Sequence, residues 1–401
     1  MSDRPSGLRR FIESRHAVVA SLGITQILGY GTTFYLLAVL ALPMSKDTGW
    51  PLDRIAIGLS IAMLVGALAA PFIGRVIDRH GGRIVLVAGS LGMAIGLAGL
   101  GLAKHLVIYW LAWGVIGLGM AAALYEAAFS ALGGWYREEA RGPITAVTLW
   151  GGFASTVCWP AGAYLVAATG WRWTCIIFAA CHLFIALPLH AWMMPRRANP
   201  GAAAPKPAGA EARVARINVL FFVLIASGMT LTAMIVTVIS VHLIPVLRDN
   251  GFTAAAAVSI GALIGPSQVA GRFGELLVGH RLHPVWSALA AAILMVAGIV
   301  ILTHNIQLAA IAVVVYAMGA GVSYIVRGTL PLAMFGSEGY ATVMGRLATP
   351  SLIAQALAPW IAAIVLERWG AAALLYSLAG LTVLNVGAIS GVALSRWSGR
   401  G

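Results

Sequence analysis

Four charged side chains fall where the sequence offers them almost no water. Glu126, Arg272, Glu275 and Arg327 are the acidic or strongly basic residues inside long apolar runs. There a charge at a helix centre costs roughly 2.5–3.5 kcal/mol, so each is expected to face protein or a watered path. The Arg272 guanidinium has the planar fork that grips a carboxylate through two hydrogen bonds. It equally suits a structural ion pair with Glu275, one turn further on, and both readings stand at this point. Glu126 and Arg327, with Tyr125 and Tyr324 adjoining, suit a gate: an ion pair that holds one access state and weakens when the carboxyl takes a proton. Pairing of each with local partners is the alternative.

Neutral polar residues share these runs. Gln268 lies one turn before Arg272 on the same helical face. Gln26, Tyr30 and Tyr35 in the first run, Gln355 in the eleventh, and His242 in the seventh are candidates to line a substrate cavity, or else helix-packing contacts. His182 and His190 have no carboxylate nearby in sequence and read as packing residues. So do Cys158, Cys175 and Cys181, whose spacing fits neither a metal site nor a disulfide. No metal site and no cofactor is expected. A phosphate-cradling loop of the G-x-x-x-x-G-K-S/T type does not occur, which argues against an ATP-driven pump. Neither paired Asp nor a Ser/His pair lies in the runs, which argues against an intramembrane hydrolase, and the chain reads as no enzyme.

The elements that position these residues are apolar helices. The chain is 60% hydrophobic and 10% charged over 401 residues, against roughly 45–50% and 25% for soluble domains. Asp, Glu, Lys and Arg are absent from Ala17 to Ser45, Ile84 to Ala103, Gly142 to Trp171, Trp173 to Pro195 and Ile217 to Leu247. Each run reaches the ~20 residues that span a bilayer. Comparable runs at Ile55–Gly74, Val107–Ala131, Gly251–Gly271, Leu347–Leu366 and Ala371–Leu394 join the long stretch Leu282–Val326, which divides at Thr303–Asn305. Twelve transmembrane helices result. Barrel strands would instead show alternating segments of ~10 residues. The Arg-rich start is read as leading into a retained first helix rather than a cleaved signal, because its apolar run is about twice the length of a signal core.

With both termini inside, most Arg residues fall in cytoplasmic segments, and only Lys46, Arg54, Lys104, Arg172, Arg248 and Arg368 lie outside. That asymmetry accounts for the net charge of +13 without nucleic acid; the lipid bilayer is the expected partner. The Pro-, Ala- and Gly-rich segment Pro195–Arg216 reads as a cytoplasmic linker (195–216) between six-helix bundles at 1–194 and 217–401. The halves echo each other: Tyr125 and Pro160 match Tyr324 and Pro359 at constant offset, and GRVID (Gly74–Asp78) matches GRFGE (Gly271–Glu275), as a duplicated unit would.

The segment GRVIDRHGGR, Gly74–Arg83, resembles the G-x-x-x-D-R-x-G-x-R signature that the major facilitator superfamily carries between its second and third helices. The resemblance implies two pseudo-symmetric six-helix bundles that alternate access to a central site, with Asp78, Arg79 and Arg83 in the gating turn. Physically, Gly81 and Gly82 suit a tight turn, and the Asp78 carboxylate suits a helix N-terminus or a basic side chain. A second segment, GGWYREEARGPITAVTLWGGFASTVCWP (Gly133–Pro160), is similar to the corresponding region of monocarboxylate and oxalate/formate-type carriers. In those carriers an Asp-x-x-x-Arg pair stands where this chain has Gln268 and Arg272. The first helix also lacks the intramembrane Lys of the animal monocarboxylate transporters.

The expected function is therefore secondary active transport of a small organic anion, monocarboxylate-like, coupled to protons or to a counter-substrate. The carrier is expected to be a monomer in a bacterial-type inner membrane. The alternative is a proton-driven multidrug or metabolite efflux antiporter. Such antiporters carry a G-x8-G-x3-G-P-x2-G-G pattern in the fifth helix, and here Gly142 and Gly151 fit its start but Ser155 and Trp159 depart from it.

Overall fold

The computed structural model describes residues 14–195 and 218–398, and every regular element among them is helical. Among these described residues, nine continuous helical stretches are long and apolar enough to cross a bilayer. One of them, Leu106–Met193, has 88 residues. At ~1.5 Å per residue it would, if straight, exceed the ~30 Å hydrocarbon core about fourfold. It is interrupted after Tyr136 by a 3-10 turn, Arg137–Ala140, and again at Gly170. The stretch Tyr340–Ser398 is interrupted in the same way at Gly370. The whole is consistent with twelve spans.

We number them α1 (Arg15–Thr48), α2 (Leu52–His80), α3 (Gly82–Leu102), α4 (106–136), α5 (141–169), α6 (171–193), α7 (Val219–Asp249), α8 (Ala254–Val278), α9 (Pro284–His304), α10 (Ala309–Phe335), α11 (340–369) and α12 (371–398). Gly170 and Gly370 take nearly the same backbone conformation, φ 79° with ψ 165° and φ 80° with ψ 177°. Side-chain-bearing residues rarely adopt it. The same reversal thus joins α5 to α6 and α11 to α12, which supports the duplication.

The chain forms two compact units, Met1–Ala215 with Gly336–Arg346, and Arg216–Phe335 with Leu347–Gly401. The expected linker lies almost wholly outside the described residues. The grouping of Gly336–Arg346 with the first unit has no signal in the sequence; α11 begins in that segment and continues into the second unit.

Within each unit the helices touch where glycine removes the side chain. In the first unit an added Cβ at Gly117 of α4 would lie 2.4 Å from the Ala62 carbonyl oxygen of α2, and one at Gly119 would lie 2.6 Å from the Met93 nitrogen of α3. In the second unit a Cβ added at Gly271 of α8 would collide with the Met318 carbonyl of α10, and one at Gly321 of α10 with the Gln268 carbonyl of α8. Membrane helices gain little from burying apolar surface against one another, so such close backbone approach, with its dispersion contacts, holds them together.

Three local departures from α-helix matter for the site. α1 contains a π turn at Tyr30–Phe34, and α6 contains two, at His182–Ala186 and Leu189–Met193. α4 breaks at Leu124, whose backbone is extended (φ −80°, ψ −166°), and restarts as Tyr125–Tyr136.

Candidate functional site

Arg272 is 3% exposed and lies at the glycine-mediated seam between α8 and α10. Its Nε donates to the Gly321 carbonyl at 3.4 Å, and its guanidinium carbon sits 4.7 Å from the centre of the Tyr324 ring. The ring face provides a cation–π partner, and the close approach at Gly321 places a carbonyl within reach. Gln268, one turn earlier, uses its backbone in the same seam. Glu275 accepts from the Ser287 hydroxyl of α9 at 2.8 Å, and its carboxylate is folded against Gly279, where a Cβ would collide with it. Elsewhere in this unit the ring Nε2 of His242 lies 3.0 Å from the Pro359 carbonyl, and Gln355 Nε2 donates to the Ser351 carbonyl at 3.2 Å. These two candidates therefore spend a polar atom on α11.

The first unit presents aromatic rings. Tyr30 lies 4.7 Å from Tyr125 between ring centres, Tyr125 stacks on Phe129 at 5.1 Å, and Tyr35 meets Trp159 edge-on at 5.9 Å. Gly151 explains how Tyr125 fits, since a Cβ there would overlap the phenol oxygen; that oxygen donates to the Thr148 carbonyl at 3.3 Å. Gln26 is fully buried, and its Nε2 donates at 2.8 Å to the Ala123 carbonyl. This carbonyl belongs to the last turn before the break in α4, where helix carbonyls lose their onward partners. Gln26, expected as a cavity residue, thus caps the break. Glu126 stands in the first turn of the restarted helix, favourable for a carboxylate beside the positive helix end. Glu126 and Arg327 belong to different units.

The turn between α2 and α3 uses its charges on helix ends. Asp78 Oδ2 accepts from the Thr342 backbone N–H at 2.8 Å and from its hydroxyl at 2.6 Å, and so caps the first turn of α11. Gly74 makes this possible: a Cβ there would lie 2.2 Å from the Ala341 carbonyl, and Gly345 faces Ala70 in the same manner. Arg83 Nη2 donates to the Ala191 carbonyl in the last turn of α6, where a cation meets the negative helix end. Arg79, on the same turn, is exposed.

Sequence reasoning missed the histidines of α6. His182 and His190, read as packing residues, are fully or almost fully buried but joined to hydroxyls: His182 Nε2 to Thr32 Oγ1 at 2.8 Å, His190 Nε2 to Thr25 Oγ1 at 2.9 Å, and His190 Nδ1 to Ser90 Oγ at 2.8 Å. The available signal was the recurrence of Thr25 and Thr32 in α1 against His182 and His190 in α6, each about two turns apart. In the second unit Asn385 of α12 donates to Thr232 of α7 at 3.0 Å, a simpler counterpart of the same helix pairing.

The chain matches the model of the Major Facilitator Superfamily over residues 22–284. The human organic anion transporter MFSD10 shares its fold, with a TM-score of 0.73 at 16% identity, covering 94% of this chain and 99% of that one. So does the fucose:proton symporter FucP of E. coli in its outward conformation, with a TM-score of 0.75 at 13% identity, covering 93% and 97%. The proton:xylose symporter XylE, bound to 6-bromo-6-deoxy-D-glucose, gives 0.73 at 12% identity, covering 93% and 94%. A protein of Thermoproteus tenax described as an uncharacterized 38 kDa protein in the 23S RNA operon is 29% identical over 161 residues, and this chain spans 41% of its length. The family match extends from α1 into α9 and takes in the capped Asp78 turn, the broken α4 and Arg272; the chain belongs to the Major Facilitator Superfamily and is a multi-pass membrane transporter.

Proposed function

We propose that this transporter is a secondary active carrier of a small organic anion, monocarboxylate-like, that works by alternating access with protons or a counter-substrate. Arg272 carries the reading. A guanidinium buried against Tyr324 and the Gly321 carbonyl keeps a permanent positive charge and a planar fork of donors within the span, and a substrate carboxylate offers a matching pair of acceptors. The fold itself does not choose the cargo, since the structures of the same fold include an organic anion transporter and two proton-linked sugar symporters.

The Asp78 cap on α11 supplies the gating part. Movement of the first turn of α11 away from α2 would break two hydrogen bonds to one carboxylate, so the contact favours the state in which it is made. The charge asymmetry supports a reading in which this turn and both termini lie in the cytoplasm of a bacterial-type cell, with the carrier acting as a monomer. Single cysteines at Thr48 and Asn250 are then labelled from outside and one at His80 from inside; the reverse pattern would overturn the orientation.

The substrate reading is tested by a thermal-shift screen of the purified protein against monocarboxylates, dicarboxylates, neutral sugars and cationic drugs, because a ligand that binds the native state raises its melting temperature. Arg272→Lys keeps the charge and loses the fork, and is expected to weaken carboxylate affinity by at least roughly tenfold. Full affinity in the double variant Arg272→Ala, Glu275→Ala would remove Arg272 from the site.

A further inference from the structure

The hydroxyl hydrogens of α1 determine how the histidines of α6 hold their protons. A threonine hydroxyl has one proton to give. Thr32 gives its proton to the Leu28 carbonyl at 2.7 Å, and Thr25 gives its own to the Leu22 carbonyl at 3.0 Å. Neither can then donate to an imidazole, so in both contacts the ring Nε2 carries the hydrogen and the threonine oxygen accepts it. For His190 this leaves Nδ1 as an acceptor, and the Ser90 hydroxyl lies 2.8 Å away to fill it. His182 differs. Its Nδ1 is buried and has no hydrogen-bond partner, although burial of an unmatched polar atom is costly.

We propose that His182 Nδ1 is a proton-binding site of the carrier, filled directly or through a bound water when α1 and α6 part, and emptied when they close. The Thr32–His182 bond joins two π turns, Tyr30–Phe34 and His182–Ala186. Such turns cluster at functional sites and carry one residue more than the α-helical register; that slack allows a local shift without unfolding either helix. In the closed arrangement the ring is sealed from water and a positive charge is unfavourable. In an opened one a bare basic nitrogen meets water and takes a proton. A site whose proton affinity differs between two conformations couples proton binding to the change between them.

Ionisable neighbours do not compete for this role. The π turn that begins with His182 packs on α1 and α3, and Cys158 of α5 lies against α1. These helices and α6 carry their Asp, Glu, Lys and Arg only near their ends, at Arg15, Lys46, Asp47, Arg83, Arg141 and Arg172. The titratable groups nearer the middle are His190, Cys158, Cys175, Cys181, Tyr30, Tyr35 and Tyr164. The inference deepens the transport reading by naming a coupling ion and where it sits, and it does not depend on the anion or on Arg272.

The test is nitrogen-15 NMR of the histidine-labelled full chain in liposomes of phosphatidylethanolamine and phosphatidylglycerol. The His182 signal is identified as the one lost in His182→Gln, whose amide still reaches Thr32 but does not titrate. At about pH 8 it should show hydrogen on Nε2 and none on Nδ1, and on acidification to about pH 5 a doubly protonated form should appear, the range over which a water-accessible histidine changes charge. Hydrogen on Nδ1 at high pH, or a neutral ring throughout in folded protein, would overturn the proposal. If His182→Gln does not fold, Thr32→Val serves. It removes the acceptor that holds Nε2–H and should shift one histidine's tautomer ratio by roughly tenfold, the factor equivalent to one hydrogen bond; an unchanged spectrum overturns the assignment. Failure here leaves carboxylate binding at Arg272 untouched, and loss of that binding leaves the NMR result standing.

Discussion

The turn after α2 and the turn after α8 carry similar sequences, GRVID against GRFGE, yet their carboxylates do different work. Asp78 reaches across to cap α11 at Thr342, while Glu275 accepts from Ser287 on the very next helix. The glycines that begin the two patterns diverge in step: Gly74 packs on Ala341 at the start of α11, and Gly271 packs on Met318 in the middle of α10. The two turns thus share glycine-mediated helix contacts and differ in how they use their charges. One copy serves a helix end that the gating reading requires to move, and the other stays within its own helical hairpin.

The sharpest way to break this comparison is through what the copies share. Gly117→Leu in α4 and Gly321→Leu in α10 each drive a side chain into the facing backbone, and both are expected to abolish the folded protein, since overpacking a backbone contact costs about 1–3 kcal/mol or more. Size-exclusion profiles in detergent check this, and tolerance at one position alone would show that the two packings are not equivalent. Next come the charges. Asp78→Asn should reduce transport by at least roughly tenfold with folded protein retained, a loss equivalent to ~1.4 kcal/mol. Glu275→Gln should change transport by less than about threefold. Equal losses in counterflow assays would show that both turns gate.

Smaller effects distinguish the polar interiors. Gln26→Leu leaves the Ala123 carbonyl at the α4 break without its donor and is expected to lower stability by about 1–3 kcal/mol, read from thermal melts. Thr232→Val removes the partner of the Asn385 amide in α12 and should cost about 1 kcal/mol. Because no titratable group takes part in that pair, the cost should be the same at pH 6 and pH 8, whereas the cost of Thr32→Val in the first unit should change with pH. Identical pH behaviour of the two variants would remove the distinction between the units.

Much of the fold was legible because its signals are local. Apolar runs of bilayer length mark the spans, and the Gly74–Arg83 pattern pointed to the superfamily that the family match then showed. The echo of the halves extends to Gly170 and Gly370, whose shared backbone conformation was not anticipated. The candidate residues were less legible. Arg272 stands out because an intramembrane charge is rare, and Asp78 because of its motif. Gln26 gave no hint that it would serve the break at Leu124, since nothing near Leu124 is a helix breaker by composition. No carboxylate neighbours the histidines in the sequence, and their partners are hydroxyls.

By itself the sequence determined the solvent of the chain, the helical character of its spans and the family, because each follows from hydrophobicity and short motifs summed along a continuous segment. Only the tertiary structure decided which polar atom meets which. Gln26 and Ala123 are 97 residues apart, Thr32 and His182 150, and Asp78 and Thr342 264. Hydrogen bonds act over about 3 Å and depend on direction, so pairs so distant in the chain are set by how the glycine-lined helices pack.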